Sequence, residues 1–462
     1  MAGQSQALSV PAGARPRSAT VAADDSYWRY FAFIVAAAFL IRLVCFTGLI
    51  GSDDLEYSHY AQLIAQFNYK PELSQFALRY GVIIPVGIVY KLLGIAEWTT
   101  VLVPLLASTA SVAMLMLVGR KLFGSPAALF AGCLLATFPS ELRYATILVP
   151  EPVAGAVVLA GVLAYVYWGA GRPVWAGFVS GVCIGAAYLT KEPTLFVAPA
   201  LMIDALARRE WRLLSGIAAG LLLIVGLEHT YYLAVTGDLM FRPHAMVEHN
   251  QSSYLFKVNQ HLGWRLFRVY PKMMLLPTTS FGLHSLFAIA FTVPGFFLLT
   301  REKWRLPFLW AMLPWIYLNF GTSSLTRYWV LPAGDRYLLF IYPPLFLLSA
   351  VVLIHLHSAR RSTAPLLTIA FLVVVGGGIY CGFVNRGRGW HTDAVKELRI
   401  IARVAKSRNL HTVVVEEGDS HVWGSTLAIL DHDLRQLNDP QAADLVVRPD
   451  ASGLPSISVF RP

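Results

Sequence analysis

A chain of 462 residues that is 56% hydrophobic and only 14% charged carries more apolar surface than one water-soluble core can bury, so the bilayer must solvate much of it. Its net charge of +10 is spread over short Lys/Arg clusters between apolar segments, which argues for membrane orientation and against a nucleic-acid surface. The four cysteines, Cys45, Cys133, Cys183 and Cys381, lie in apolar segments with no short-spaced pair, so no disulfide, zinc site or redox motif is expected.

Residues 1–30 are polar, with Arg15, Arg17 and Arg29, and read as a cytoplasmic segment ahead of a retained signal anchor at 31–50. Further spans are expected at 99–118, 126–139, 152–168, 174–189, 194–207, 213–231, 280–299, 307–320, 337–356 and 365–383, each near the length that crosses a bilayer. The apolar stretch 81–95 decides the parity. If it lies beside the membrane, Arg120/Lys121, Arg172, Arg208/Arg209/Arg212, Arg301/Lys303/Arg305 and Arg360/Arg361 share the side of the N-terminal arginines, as cytoplasmic loops should. That gives about eleven helices, a transmembrane domain over 31–383, and a C-terminal segment, 384–462, outside. Within the latter, Thr392 to Ser407 reads as an amphipathic helix and His411 to Glu416, Ala443 to Arg448 and Ser456 to Phe460 as strands, a small α/β domain docked on the outer surface.

The same parity gathers the unusual polar residues on the outer face. Asp53 and Asp54, followed by Glu56, Tyr57 and His59, stand just past the first span, where carboxylates accept protons or bind metal. Glu151 sits between Pro150 and Pro152, and at membrane depth needs a partner such as Arg143, Lys191 or a divalent cation. Lys191 and Glu192 end one span as Pro193 begins the next. Arg327, Asp335, Arg336 and Tyr337 flank a late span, and arginine on the outer side calls for an anion such as a lipid phosphate. The segment 232–279, with His244, Glu248, His249, His261, Arg265, Arg268 and Lys272, reads as a basic loop over a substrate cavity. Arg42, Asp204 and Glu228 are intramembrane charges without an assigned role.

Four stretches carry a family resemblance: Asp53-Asp54-Leu55-Glu56-Tyr57-Ser58-His59-Tyr60-Ala61, Phe138-Pro139 through Glu151-Pro152, Gly181 to Glu192, and Arg336-Tyr337 with Pro343-Pro344. In order and spacing they resemble the GT-C glycosyltransferases that use polyprenyl-phosphate sugars, a group including protein O-mannosyltransferases, the aminoarabinose transferase of lipid A and the rhizobial core-glycosylating enzymes. The likeness covers roughly residues 30 to 350; Glu151 stands where relatives often have Asp, and 384–462 matches no motif.

The resemblance implies an inverting transfer of a sugar from a polyprenyl-phosphate donor to an acceptor hydroxyl outside the membrane. Asp53 would be the general base. Arg79, Lys191, Arg327, Arg336 and Tyr337 would hold the donor phosphate, and Tyr57, His59, Glu192 and His249 would line the cavity. Asp54 and Glu151 would orient these groups or, for Glu151 with Asp53, hold a divalent cation, Mg or Mn. The acceptor would be a cell-envelope glycan, lipid or protein, and the location a bacterial inner membrane with the site facing the periplasm. A transporter or flippase of a lipid-linked sugar is the alternative; it needs a charged path through the bundle or an inverted repeat.

Overall fold

The computed structural model describes residues 17–252, 269–298, 301–322, 328, 331, 333–359, 362–389, 391–416 and 420–460. Seven helices there are long and apolar enough to cross a membrane: Asp25–Val44 within α1 (Arg17–Val44), α4 (Glu97–Phe123), α7 (Pro150–Trp168), α8 (Pro173–Thr190), α10 (Trp211–Thr236), α15 (Tyr342–Ala359) and α16 (Ala364–Asn385). Three expected spans are shorter as helices: α5 (Ser125–Ala136), α9 (Val197–Ala207) and α13 (His284–Leu298). Before α9 a 3-10 turn, Glu192–Phe196, takes up part of the apolar run. The helix at the ninth expected span, α14 (Arg301–Phe320), opens on Arg301, Glu302, Lys303 and Arg305.

The first span is shorter than its apolar run suggests. Its helix stops at Val44, and Gly48 and Gly51 follow with φ of 74° and 71°, left-handed conformations that only glycine takes at no cost. Cys45, Leu49 and Ile50 are buried in protein and not in lipid: the Thr47 amide donates to Thr146 Oγ1 at 3.0 Å and the Leu49 amide to Glu97 Oε1 at 3.0 Å.

α2 (Asp53–Ala65) and α3 (Tyr80–Leu93) pack together beside the bundle. The 14 residues of α3 span only about 21 Å of helix, short of the ~30 Å of a hydrocarbon core. Both its flanks lie at one end, since Arg79 meets Glu192 and Glu97 meets Arg399 of the tail. Ile84, Ile88 and Leu92, spaced by four, are exposed along one face, an apolar stripe that suits contact with lipid.

α8 and α10 meet through glycine. A Cβ added at Gly177 or Gly181 would fall 2.2 Å from the carbonyl oxygens of Leu213 and Ile217, and one at Gly220 2.2 Å from that of Phe178. Without side chains between them the two backbones touch, the small-residue packing that holds membrane helices together. This fixes the C-terminus of α8, and with it Lys191 and Glu192.

The segment expected as a loop, 232–279, is partly helical, with α11 (Phe241–Ser252) and α12 (Tyr270–Leu275). The polar turn at α10's end, Gly237 with φ of 75°, stops the apolar helix and lets α11 fold back.

The tail carries α17 (Thr392–Ser407), α18 (Ser420–Leu430) and a sheet in the order β2-β1-β3-β4 (Arg435–Gln436, Thr412–Val415, Leu445–Pro449, Pro455–Phe460). β1 is parallel to β2 and β3, and β4 is antiparallel to β3. The helix α18, with Trp423 and Leu427 in the tail's core, and the two-residue strand β2 were not legible as elements. Val395 and Ile429 close over Leu49 and Leu55, and the His391 amide donates to the Ile50 carbonyl at 3.1 Å.

Candidate active site

Four chain segments deliver charge to one place. Asp53 opens α2 and Glu151 opens α7, where the helix N-terminus favours a carboxylate. Lys191 leaves α8, and Arg336 lies on a 3-10 turn, Asp335–Leu338. Arg336 bridges the two acids: its Nη2 donates to Asp53 Oδ2 at 2.5 Å and its Nε faces Glu151 Oε1 at 3.3 Å. Lys191 Nζ meets the same Glu151 oxygen at 3.0 Å and lies 4.1 Å over the Tyr337 ring. Glu151 Oε2 is buried with no hydrogen-bond partner.

A second layer supports these groups. Arg79 donates to the Tyr57 hydroxyl, to Gln75 Oε1 at 2.8 Å, and pairs with Glu192 Oε2 at 3.7 Å. Arg242, almost wholly buried, binds Glu192 Oε1 at 2.8 Å, Glu228 Oε1 at 2.6 Å and the Leu78 carbonyl. Sequence reasoning missed Arg242; the signal was an arginine fourteen residues beyond an intramembrane glutamate. Tyr144, at the end of α6 (Pro139–Tyr144), was missed too: its hydroxyl donates to Asp335 Oδ1 at 2.8 Å, which also takes the Arg336 amide at 2.8 Å, so it fixes the turn that carries Arg336.

Burial alone raises the Asp53 carboxyl, but the Arg336 guanidinium, helped by Arg79 and Lys191, more than offsets this and holds it below its ordinary value. Burial likewise works against charge on Arg336, and Glu151 and Asp53 overcome it and hold the guanidinium well above its ordinary range. The site is therefore built ionised. His249 touches its edge, with Nε2 2.5 Å from Gln75 Nε2; burial first, then the Arg79 charge, pushes its imidazole down to about 4.

Two expected residues point elsewhere. The Asp54 carboxylate is wholly buried and accepts the amides of Ile50, Gly51 and Ser52 at 2.8, 3.3 and 2.6 Å, so it shapes the turn before α2. His59 is exposed on the far face of α2 and rests against Tyr60. Arg327 lies outside the described residues, as do His261, Arg265 and Arg268.

No group of three or more His, Cys, Asp or Glu side chains among the described residues is placed to hold a metal. Asp53 and Glu151 share Arg336, and Glu151 also has Lys191. Fixed cations stand where a divalent ion would bind this pair, and the donor set does not fit one.

An apolar groove of about 540 Å³ runs between α12, α13, α14 and α15, lined by Met274, Val293, Phe297, Trp304, Met312 and Leu345 among others. Val293 and Phe297 are also exposed on the bundle surface, so the groove opens toward lipid. Among the described residues the intramembrane charges are paired locally. Arg42 donates to Ser108 Oγ at 2.7 Å, Ser108 to Glu141 at 2.6 Å, Asp204 binds Arg208, Arg305 and Tyr165, and Glu228 binds Arg242.

Residues 85–231 match the family model of dolichyl-phosphate-mannose-protein mannosyltransferases. Among curated proteins none matches the chain. Among solved structures, ArnT from Cupriavidus metallidurans bound to undecaprenyl phosphate is similar over 91% of this chain and 93% of its own, with 16% identity and a TM-score of 0.55. The oligosaccharyltransferase of Archaeoglobus fulgidus in its apo form is 14% identical, with 90% of this chain and 65% of that one covered and a TM-score of 0.55. The same enzyme in complex with Zn and sulfate gives 13% identity, 89% and 63% coverage and a TM-score of 0.54. The fold of the described residues is thus similar to that of these membrane enzymes, and the part of the chain that runs from α3 into α10 matches the mannosyltransferase family model.

Proposed function

We propose that this protein moves a sugar from a polyprenyl-phosphate donor to an acceptor hydroxyl at the outer face of the membrane, with inversion at the anomeric carbon. The observation that carries this reading is Arg336, which spans Asp53 and Glu151, in a bundle that also holds an apolar groove open to lipid. The polyprenyl chain lies in the groove and its phosphate comes to Arg336. That guanidinium has five N–H donors, of which Asp53 takes one while Glu151 faces another as an ion pair, so a phosphate is bound without stripping the acids. The ArnT structure, solved with undecaprenyl phosphate, supports this donor class.

Asp53 accepts the acceptor's proton as its oxygen attacks the anomeric carbon, and the polyprenyl phosphate leaves with the bonding electrons. A carboxylate held below its ordinary range is a weak base for an alcohol, so proton transfer is late and contributes roughly 10²- to 10⁴-fold. The larger share falls to Arg336 and Lys191, with Arg79 behind them, which neutralise the departing phosphate where little water screens it. Glu151 orients both leading cations. The location that fits is a bacterial inner membrane with the site facing the periplasm.

The test is release of polyprenyl phosphate from a polyprenyl-phosphate sugar by reconstituted full-length protein. Asp53→Asn, with binding of undecaprenyl phosphate retained, is expected to lose at least about 10²-fold in turnover. Wild-type protein that releases nothing, or an Asn variant with near-normal turnover, refutes the assignment.

A further inference from the structure

A second, smaller cavity of about 220 Å³ lies on the tail side of Asp53 and shares no lining residue with the apolar groove. Ser52, Asp53 and Glu56 line it from α2 and the turn before it, and His391, His421 and Val422 from the tail domain. Asp53 and Glu56, three apart on one helix, face the same way. Among the described residues the side chains of Glu56, His391 and His421 make no hydrogen bond or ion pair, although polar groups this close to an interface are usually spent on each other. The backbone of the wall is fixed, since the Asp54 carboxylate ties down Ile50, Gly51 and Ser52 and the His391 amide is bonded to Ile50.

These features specify a ligand chemistry. A carboxylate that accepts and two imidazoles that donate or accept match hydroxyl groups, which do both. The lining holds no arginine or lysine, so a phosphate or carboxylate entering beside Glu56 would find no cation of the pocket to pair with. The volume is below the ~300–1,000 Å³ of sites that enclose a drug-sized molecule, and suits a group the size of one sugar ring. We infer that this pocket binds the acceptor through an uncharged saccharide end, its hydroxyls read by Glu56, His391 and His421, and that the tail domain thereby takes part in acceptor choice. The inference rests on the glycosyl-transfer reading, deepens it by naming the acceptor class, and places the attacking hydroxyl next to Asp53.

The experiment uses full-length protein in nanodiscs and measures diethyl pyrocarbonate labelling of His391 and His421 by mass spectrometry, with exposed His59 as the internal control. Methyl α-mannoside and methyl N-acetyl-β-glucosaminide are the neutral probes, and methyl β-glucuronide is the acidic one. At least one neutral glycoside is expected to slow labelling of both histidines while the glucuronide does not and His59 is unchanged. In Glu56→Gln that protection should weaken about tenfold, the worth of ~1.4 kcal/mol. Labelling insensitive to every glycoside, protection by the glucuronide as strong as by the neutral probes, or unchanged protection in Glu56→Gln overturns the inference. Release of polyprenyl phosphate is scored separately: release without protection refutes the pocket alone, and protection without release refutes the transfer reading alone.

Discussion

The bundle has a buried carboxylate cluster at each end, and the two are built differently. At the end away from the tail, Asp204 takes Arg305 Nε on one oxygen at 2.7 Å, and Arg208 Nε and the Tyr165 hydroxyl on the other, both at 2.8 Å. Both carboxylate oxygens are thus taken up by strong donors. At the tail end, Glu151 keeps an oxygen without a hydrogen-bond partner, Arg336 keeps N–H groups to spare, and a cavity lined by Asp53 adjoins them. Both clusters mix arginine with acid at membrane depth. Only the one with unspent donors can take a ligand, so saturation, more than charge, separates scaffold from site.

Exchanging arginines between the two ends is the sharpest way to break this comparison. Arg336→Gln should lower turnover by about 10²- to 10³-fold, the usual loss when a donor to developing charge is removed, and Arg336→Lys should recover only part, because an ammonium cannot fork between two acids and a phosphate. Arg305→Gln should leave turnover within about twofold. Kinetics on reconstituted protein decide it, and equal losses at both positions would erase the distinction. The next largest effect is on stability. Asp204→Asn leaves two guanidiniums facing a neutral amide, and since Arg208 reaches solvent at 44% exposure, a loss of about 1–3 kcal/mol is expected. A lowered thermal midpoint with unchanged turnover per folded molecule is the outcome sought.

How far the sequence could be read follows from the same physics. Apolar runs revealed most of the long helices. Periodicity gave α17 in full, with Ala394, Leu398, Ile401 and Ala405 buried along one face. Asp53, Glu151, Lys191 and Arg336 could be named because each is a charge at the edge of an apolar run. Arg242 could not, since its partners Glu228 and Glu192 lie in other elements and become neighbours only once α11 folds back. Asp54 and His59 failed for a local reason: on one helix adjacent positions face different ways, and sequence proximity to Asp53 says nothing of which way they turn. The end of the first span at Val44 was hidden because burial against protein and burial in lipid demand the same apolar residues.

A smaller effect concerns acid. The ordinary histidine value is 6.5, and His249 in the folded protein sits at about 4. As pH falls through 6.5 the unfolded chain takes up a proton here that the folded chain refuses until about pH 4, so this position costs stability over that window and nothing above it. The thermal midpoint should fall between pH 7 and 4.5, and His249→Gln, which keeps a polar neighbour for Gln75, should shallow that fall. A variant with an unchanged slope would assign the acid sensitivity to other groups.

The smallest expected effect is that of a chelator. In the tail-end cluster Asp53, Glu151 and Glu192 bring three negative charges and Arg79, Lys191 and Arg336 bring three positive ones, paired at 2.5 to 3.7 Å. A divalent cation added between Asp53 and Glu151 would have to displace Arg336 from both, and would place two further positive charges beside a guanidinium and an ammonium that cannot leave. Its gain from the two carboxylates would be offset by repulsion where the effective dielectric is low. The phosphate of the donor has its counter-charge in Arg336 and Lys191 already. Turnover after exhaustive EDTA treatment should therefore stay within about twofold of the untreated protein. A loss beyond tenfold that Mg²⁺ or Mn²⁺ restores would mean that Arg336 swings off the acids before catalysis, and that the cluster, like its counterpart at the other end, is a resting arrangement and not the working one.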